Sequence, residues 1–133
     1  MNFQGTILLV DDEIHIRKYV GLILRQLGTP KLIEAANGEA AVAAFIEGNP
    51  DLVLLDVNMP IMDGIATLRR LREIDPECIV VMLTSLANRQ TVDQAIALGA
   101  SNYIRKDSTK DEIIAALTET ITACFPSEPE PSP

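Results

Sequence analysis

Three aspartates, a lysine and a threonine fall at the ends of apolar runs, and those residue types together can handle a phosphoryl group. Asp56 closes the run Leu52-Val53-Leu54-Leu55 and opens the stretch Val57-Asn58-Met59-Pro60-Ile61-Met62-Asp63-Gly64. Asp11 and Asp12 close Ile7-Leu8-Leu9-Val10, Thr84 and Ser85 follow Ile79–Leu83, and Lys106 follows Asn102–Arg105. Carboxylates gathered in one pocket repel one another. A hard divalent cation relieves that repulsion, and Mg²⁺ favours one or two carboxylates, several waters and a phosphate oxygen. Asp56 could then attack phosphorus, with Mg²⁺ and Lys106 balancing charge on the phosphoryl oxygens and the Thr84 hydroxyl donating a hydrogen bond. Each residue alone has a plainer reading: Asp12 as the cap of the helix behind it, Lys106 as a solvated strand end, Thr84 as a turn residue. Their joint placement at successive strand ends favours a shared site.

Positioning such a set needs a scaffold that brings four chain segments to one edge. The short runs Thr6–Val10, Leu52–Leu55 and Ile79–Leu83 are rich in Val, Ile and Leu, as strands covered on both faces are. Lys31–Ala35 and Asn102–Arg105 are more mixed and suit peripheral strands. Helical spacing appears between them. Ile16, Val20, Ile23, Leu24 and Leu27 recur before Gly28, and Asn37 precedes a helix that ends at Gly48-Asn49-Pro50. Asp63 is placed to cap a helix carrying Ile65, Leu68 and Leu71. Val92, Ala95 and Ile96 mark the next helix. Ser108 or Thr109 can cap the last, whose stripe is Ile113, Ala116, Leu117 and Ile121. Five strand–helix repeats with right-handed crossovers predict an α/β fold: a doubly wound, five-stranded parallel sheet with five helices on two faces. In the flavodoxin-like order 2-1-3-4-5, the first and third strands are neighbours, and Asp11, Asp12 and Asp56 meet at the carboxyl edge.

Composition narrows the function classes. The chain has 133 residues, 47% of them hydrophobic, which suits one domain over residues 1–125. Residues 126–133 read Pro-Ser-Glu-Pro-Glu-Pro-Ser-Pro and are expected to form a disordered acidic tail or the start of a linker. A net charge of −8 argues against direct nucleic-acid binding. No apolar run approaches the ~20 residues of a membrane span, and no secretory signal is visible, so a cytoplasmic location is expected. Cys78 and Cys124 have no metal or redox spacing. His15 lacks the context of a phosphodonor.

The motifs Leu9-Val10-Asp11-Asp12-Glu13, Asp56 to Gly64, Leu83-Thr84-Ser85 and Gly99-Ala100-Ser101-Asn102-Tyr103-Ile104-Arg105-Lys106 are together highly specific. On them, the chain from about Thr6 to Cys124 resembles the receiver domain of two-component response regulators, similar to the single-domain chemotaxis type. The 2-1-3-4-5 order is that family's known order, so it enters with the resemblance. The resemblance implies a phosphorylation-activated switch. Asp56 would accept a phosphoryl group from a phosphohistidine on a sensor histidine kinase or histidine phosphotransfer protein. Asp12 and Asp56 would bind Mg²⁺ directly, Asp11 mainly through water, and Asn58 through its backbone carbonyl. Thr84 would hydrogen-bond the phosphoryl group and Lys106 would pair with it. Thr84 and Tyr103 would form the switch that changes the face of the fourth helix, fifth strand and fifth helix, where a homodimer or downstream protein would bind. Ser85 would sit beside the phosphoryl group, while Asn58 and Leu86 would tune its lifetime. The receiver would assist its own phosphorylation and dephosphorylation without being an enzyme in the usual sense.

The family usually has Lys-Pro after the fifth strand, often with a cis bond. Here Lys106-Asp107 stands there, with a further negative charge at the pocket rim. Two other classes compete. A haloacid-dehalogenase-type phosphatase wants Asp-x-Asp, and the third residue here is Asn58. A phosphorylation-independent receiver-fold module would normally have a damaged acid pocket.

Overall fold

The computed structural model describes residues 3–59, 62–85 and 89–125. Pro60, Ile61, Leu86 and the 126–133 tail lie outside the described residues. Strands and helices alternate as β1 (Thr6–Val10), α1 (Ile14–Leu24), β2 (Lys31–Ala35), α2 (Gly38–Gly48), β3 (Leu52–Asp56), α3 (Gly64–Ile74), β4 (Val80–Thr84), α4 (Arg89–Ala97), β5 (Asn102–Arg105) and α5 (Lys110–Cys124). A 3₁₀ turn, Arg25–Leu27, prolongs α1 before Gly28 turns the chain at φ +149°. All pairings are parallel, in the order β2-β1-β3-β4-β5. The edge strands are the two mixed runs, and β4 starts one residue later than its apolar run suggests.

Side chains of a strand alternate between faces, so each central strand feeds two cores. Ile7, Leu9, Leu52, Leu54, Val81 and Leu83 pack with Val20, Ile23 and Leu24 of α1 and Ile113, Leu117 and Ile121 of α5. Leu8, Val10, Val53, Leu55, Val80 and Met82 pack with Ala41 and Phe45 of α2, Leu68 and Leu71 of α3, and Ala95 of α4. Burial on both faces explains why β1, β3 and β4 read as unbroken apolar runs. Ile96 is 59% exposed and lies on the outer side of α4. Both cysteines are free thiols, and Cys78 is buried.

Helix starts fix the loops around the sheet edge. Asn37 accepts from Ala40 N at 2.8 Å and Asp63 from Ala66 N at 2.8 Å. Thr109 and Glu112 form a reciprocal capping box, and each such cap contributes about 1 kcal/mol. The start of α1 departs from the capping role considered for Asp12. Glu13 holds the cap position without a side-chain cap, and its N–H donates to Asp11 Oδ1 at 2.8 Å. The Asp11 carboxylate thus tucks against the turn, and Asp12 stays exposed. Among the described residues, no helix is long and apolar enough to cross a membrane.

Candidate functional site

β1, β3, β4 and β5 bring the residues at or just past their carboxyl ends to the same edge. Asp11 N donates to Ala35 O (3.1 Å), Val57 N to Leu83 O (2.9 Å) and Lys106 N to Thr84 O (2.7 Å), each continuing a ladder one step past its strand. That registration brings Asp11, Asp56, Thr84 and Lys106 together. Gly64 allows α3 to begin directly behind this edge: its N–H donates to Val57 O at 2.8 Å, and a Cβ there would collide with the main chain of Asp56 and Val57.

Asp11, Asp56 and Thr84 are buried, whereas Asp12 and Asn58 open to solvent. One oxygen each of Asp11, Asp12 and Asp56 lies within 4.8 Å of the others. Lys106 reaches in from β5, its Nζ 2.7 Å from Asp11 Oδ2 and 3.0 Å from Asp56 Oδ1. It therefore bridges both buried acids, and its closer partner is Asp11. Glu13 Oε1, at 4.0 Å from Lys106 Nζ, stands at the rim. Asn58 N donates to Asp56 Oδ1 at 3.2 Å.

The electrostatics follow from burial. Desolvation pushes the Asp56 pKa from 3.8 up to about 6, Asp11's charge adds to the rise, and Lys106 and the Asn58 amide oppose it. For Lys106, burial works against the charge, but attraction to Asp11 and Asp56 outweighs it and the pKa rises. Three carboxylates face one ammonium, leaving a negative excess that a divalent cation matches. Asp56 Oδ2 is buried with no hydrogen-bond partner among the described residues. Such an orphaned acceptor is costly, and oxygen donors of this kind suit a hard cation such as Mg²⁺. The residues present therefore fit that ion.

Residues 7–118 match the family described as the response regulator receiver domain. The chain belongs to that family. This receiver is 36% identical over 115 residues to the chemotaxis protein CheY of Bacillus subtilis, covering 86% of this chain and 96% of that protein. It is 34% identical over 127 residues to the phosphate regulon transcriptional regulatory protein PhoB of Pseudomonas aeruginosa, covering 94% of this chain and 55% of PhoB. Among solved structures, Vibrio cholerae chemotaxis protein CheY4 superposes with a TM-score of 0.81 at 27% identity, covering 89% of this chain and 99% of that one. A LuxR-family two-component response regulator from Aurantimonas sp. superposes with a TM-score of 0.84 at 25% identity, covering 91% of this chain and 87% of that one. The receiver thus belongs to two-component signalling, in which such domains interact with kinases or phosphotransfer proteins.

Around this cluster one placement, that of Asp107, departs from the sequence reading, and three others fill in points that reading left open. No cis peptide occurs among the described residues, so Lys106-Asp107 is trans. The Asp107 carboxylate does not charge the pocket rim. It pairs with exposed Arg105 through contacts of 3.1 and 2.9 Å, in the turn that follows the end of β5. Tyr103 is 44% exposed and lines a narrow cavity together with Val57, Met82, Thr84 and Ala95. His15 is exposed and contacts Glu13. Sequence reasoning missed Glu13 as a rim acid and Arg17 as a neighbour of the β1–α1 turn; as ordinary polar residues of a helix start, neither carries a distinguishing signal.

Proposed function

We propose that this receiver is a phosphorylation-activated switch whose phospho-acceptor is Asp56. The observation that carries the reading is Asp56 Oδ2, a buried carboxylate oxygen without a hydrogen-bond partner among the described residues, in a cluster with Asp11, Asp12 and Lys106. Asp12 and Asp56 would hold Mg²⁺ directly, Asp11 chiefly through water, and Asn58 through its backbone carbonyl. When bound, the ion supplies charge neutralisation for the phosphoryl oxygens.

The chain's own groups perform the steps. Asp56, ionised at neutral pH because its pKa of about 6 lies below 7, attacks phosphorus in line with the departing imidazole of a phosphohistidine. A bond from Asp56 oxygen to phosphorus forms as the nitrogen–phosphorus bond breaks, and the imidazole keeps the electron pair and takes a proton. Lys106 swings its ion pairing from the acids toward a phosphoryl oxygen, and the Thr84 hydroxyl donates to another. Water later attacks the phosphorus, the bond from Asp56 oxygen to phosphorus breaks, inorganic phosphate leaves and the carboxylate is restored. The inward pull on Thr84 makes room for Tyr103 to turn in, which reshapes the α4-β5-α5 face for a downstream protein or a second copy. Sensor histidine kinases or histidine phosphotransfer proteins are the donors.

Incubation with acetyl phosphate, with Mg²⁺ or with EDTA, tests the reading by intact mass. One phosphoryl group is gained by the wild-type chain with Mg²⁺, and none by Asp56→Asn. Labelling that ignores Mg²⁺ or survives in Asp56→Asn would overturn it.

A further inference from the structure

We propose that Arg17 is a positioning residue for the acid cluster, acting through the main chain of the β1–α1 turn on Asp12. The inference rests on the reading of Asp11, Asp12 and Asp56 as a Mg²⁺ site. Arg17 belongs to α1, yet its side chain is only 14% exposed. Its Nη1 donates to the main-chain O of Asp11 at 2.6 Å, and its Nε donates to Glu34 Oε1 on edge strand β2 at 3.1 Å.

The Asp11 carbonyl needs this donor. The β1–β2 ladder closes with Asp11 N donating to Ala35 O, and no main-chain N–H among the described residues reaches Asp11 O. The Asp11–Asp12 peptide is therefore held at its carbonyl by the guanidinium, itself tied to β2 by Glu34, and the Glu13 N–H to Asp11 Oδ1 bond completes the turn. That orientation decides where Asp12 points. Asp12 is exposed and has no hydrogen bond or ion pair of its own among the described residues, so its aim at the cluster depends on its backbone. A planar guanidinium suits the task because its donors lie in a fixed fork, which an ammonium lacks.

The sign of the effect separates positioning from long-range charge. Removing a cation beside an acidic cluster strengthens its pull on a divalent ion. Losing the group that aims a ligand weakens binding, typically by about tenfold or more. Mg²⁺ titration of the whole chain by calorimetry, well below the unfolding temperature, reads the difference for Arg17→Met, Arg17→Lys, Glu34→Gln and the exposed neighbour Lys18→Met. Arg17→Met is expected to bind Mg²⁺ about tenfold more weakly than wild type. Arg17→Lys should also bind more weakly despite its retained charge, and Lys18→Met no more weakly than wild type; Glu34→Gln should weaken binding by less than Arg17→Met, a loss that its missing negative charge also contributes to. If Arg17→Met does not fold, Arg17→Lys carries the test. Arg17 variants that bind Mg²⁺ as tightly as wild type would overturn the positioning role while leaving the metal site intact. A folded wild-type chain that takes up no Mg²⁺ would instead sink the site reading and this inference with it.

Discussion

Replacing Asp56 with asparagine probes the electrostatics of the site before any phosphoryl donor is added. The wild-type carboxyl is 1% exposed and its Oδ2 has no hydrogen-bond partner among the described residues. Burial, aided by Asp11, lifts its pKa from 3.8 to about 6 against the pull of Lys106. A rise of that size corresponds to about 3 kcal/mol of preference for the neutral form in the folded chain. Asparagine has nearly the same shape and no charge, so it removes the penalty. Metal-free Asp56→Asn should therefore be more stable than wild type at pH 7.5 by about 1–3 kcal/mol, raising Tm by about 3–12 °C. The sign with pH follows from linkage. A carboxyl whose folded pKa lies above its unfolded value holds its proton in the folded state across about pH 4 to 6, so wild-type stability falls as pH rises through that window. The gap between variant and wild type should open from pH 4 to pH 6 and stay constant above. Mg²⁺ should stabilise wild type more than the variant. Thermal or urea unfolding at several pH values, with Mg²⁺ or EDTA, reads all of this. A variant less stable than wild type at pH 7.5 without metal, or a gap that does not change between pH 4 and 7, would refute the reasoning.

Three further outcomes follow from the same geometry. Lys106→Met strands the buried Asp11 and Asp56 carboxylates and should cost about 3 kcal/mol or more in EDTA, with Mg²⁺ restoring part; urea midpoints that do not depend on Mg²⁺ would count against the shared charge cluster. Gly64→Ala drives a Cβ into the main chain of Asp56 and Val57, so it should lose about 1–3 kcal/mol and slow phosphorylation as well. Normal stability there would mean that the close approach of α3 to the end of β3 is not required. In a Tyr19→Phe background, the fluorescence of Tyr103 should become less accessible to iodide when beryllofluoride and Mg²⁺ mimic the phosphorylated state; unchanged quenching would argue against the aromatic switch.

The fold was largely legible because its physics is periodic. β1, β3 and β4 lie between two helical layers, so their residues are apolar on both faces and stand out from the helices. The cap at Asp63 was readable from residue type and position, that at Thr109 only as one of two candidates with Ser108, and Asn37 only as the residue before its helix. The meeting of Asp11, Asp12 and Asp56 could be inferred because parallel strands must end at one edge, but the strand order came with the family resemblance. Pairwise geometry was not legible. That Lys106 lies closer to Asp11 than to Asp56, that Asp107 turns outward to Arg105, and that Asp11 rather than Asp12 ties down the start of α1 all depend on side-chain direction at single positions. Arg17 was hidden for another reason: an arginine on an amphipathic helix looks like any solvated charge until its partners, a strand-end carbonyl and an edge-strand glutamate, are in place.

Reductive trapping tests the central claim most directly. Borohydride converts an aspartyl phosphate to homoserine and leaves free aspartates alone. After treatment with acetyl phosphate and Mg²⁺, peptide mass mapping should find homoserine at position 56 and unmodified aspartate at 11 and 12. Homoserine at Asp11 or Asp12 instead, or stable phosphate on a serine or threonine with Asp56 untouched, would contradict the account.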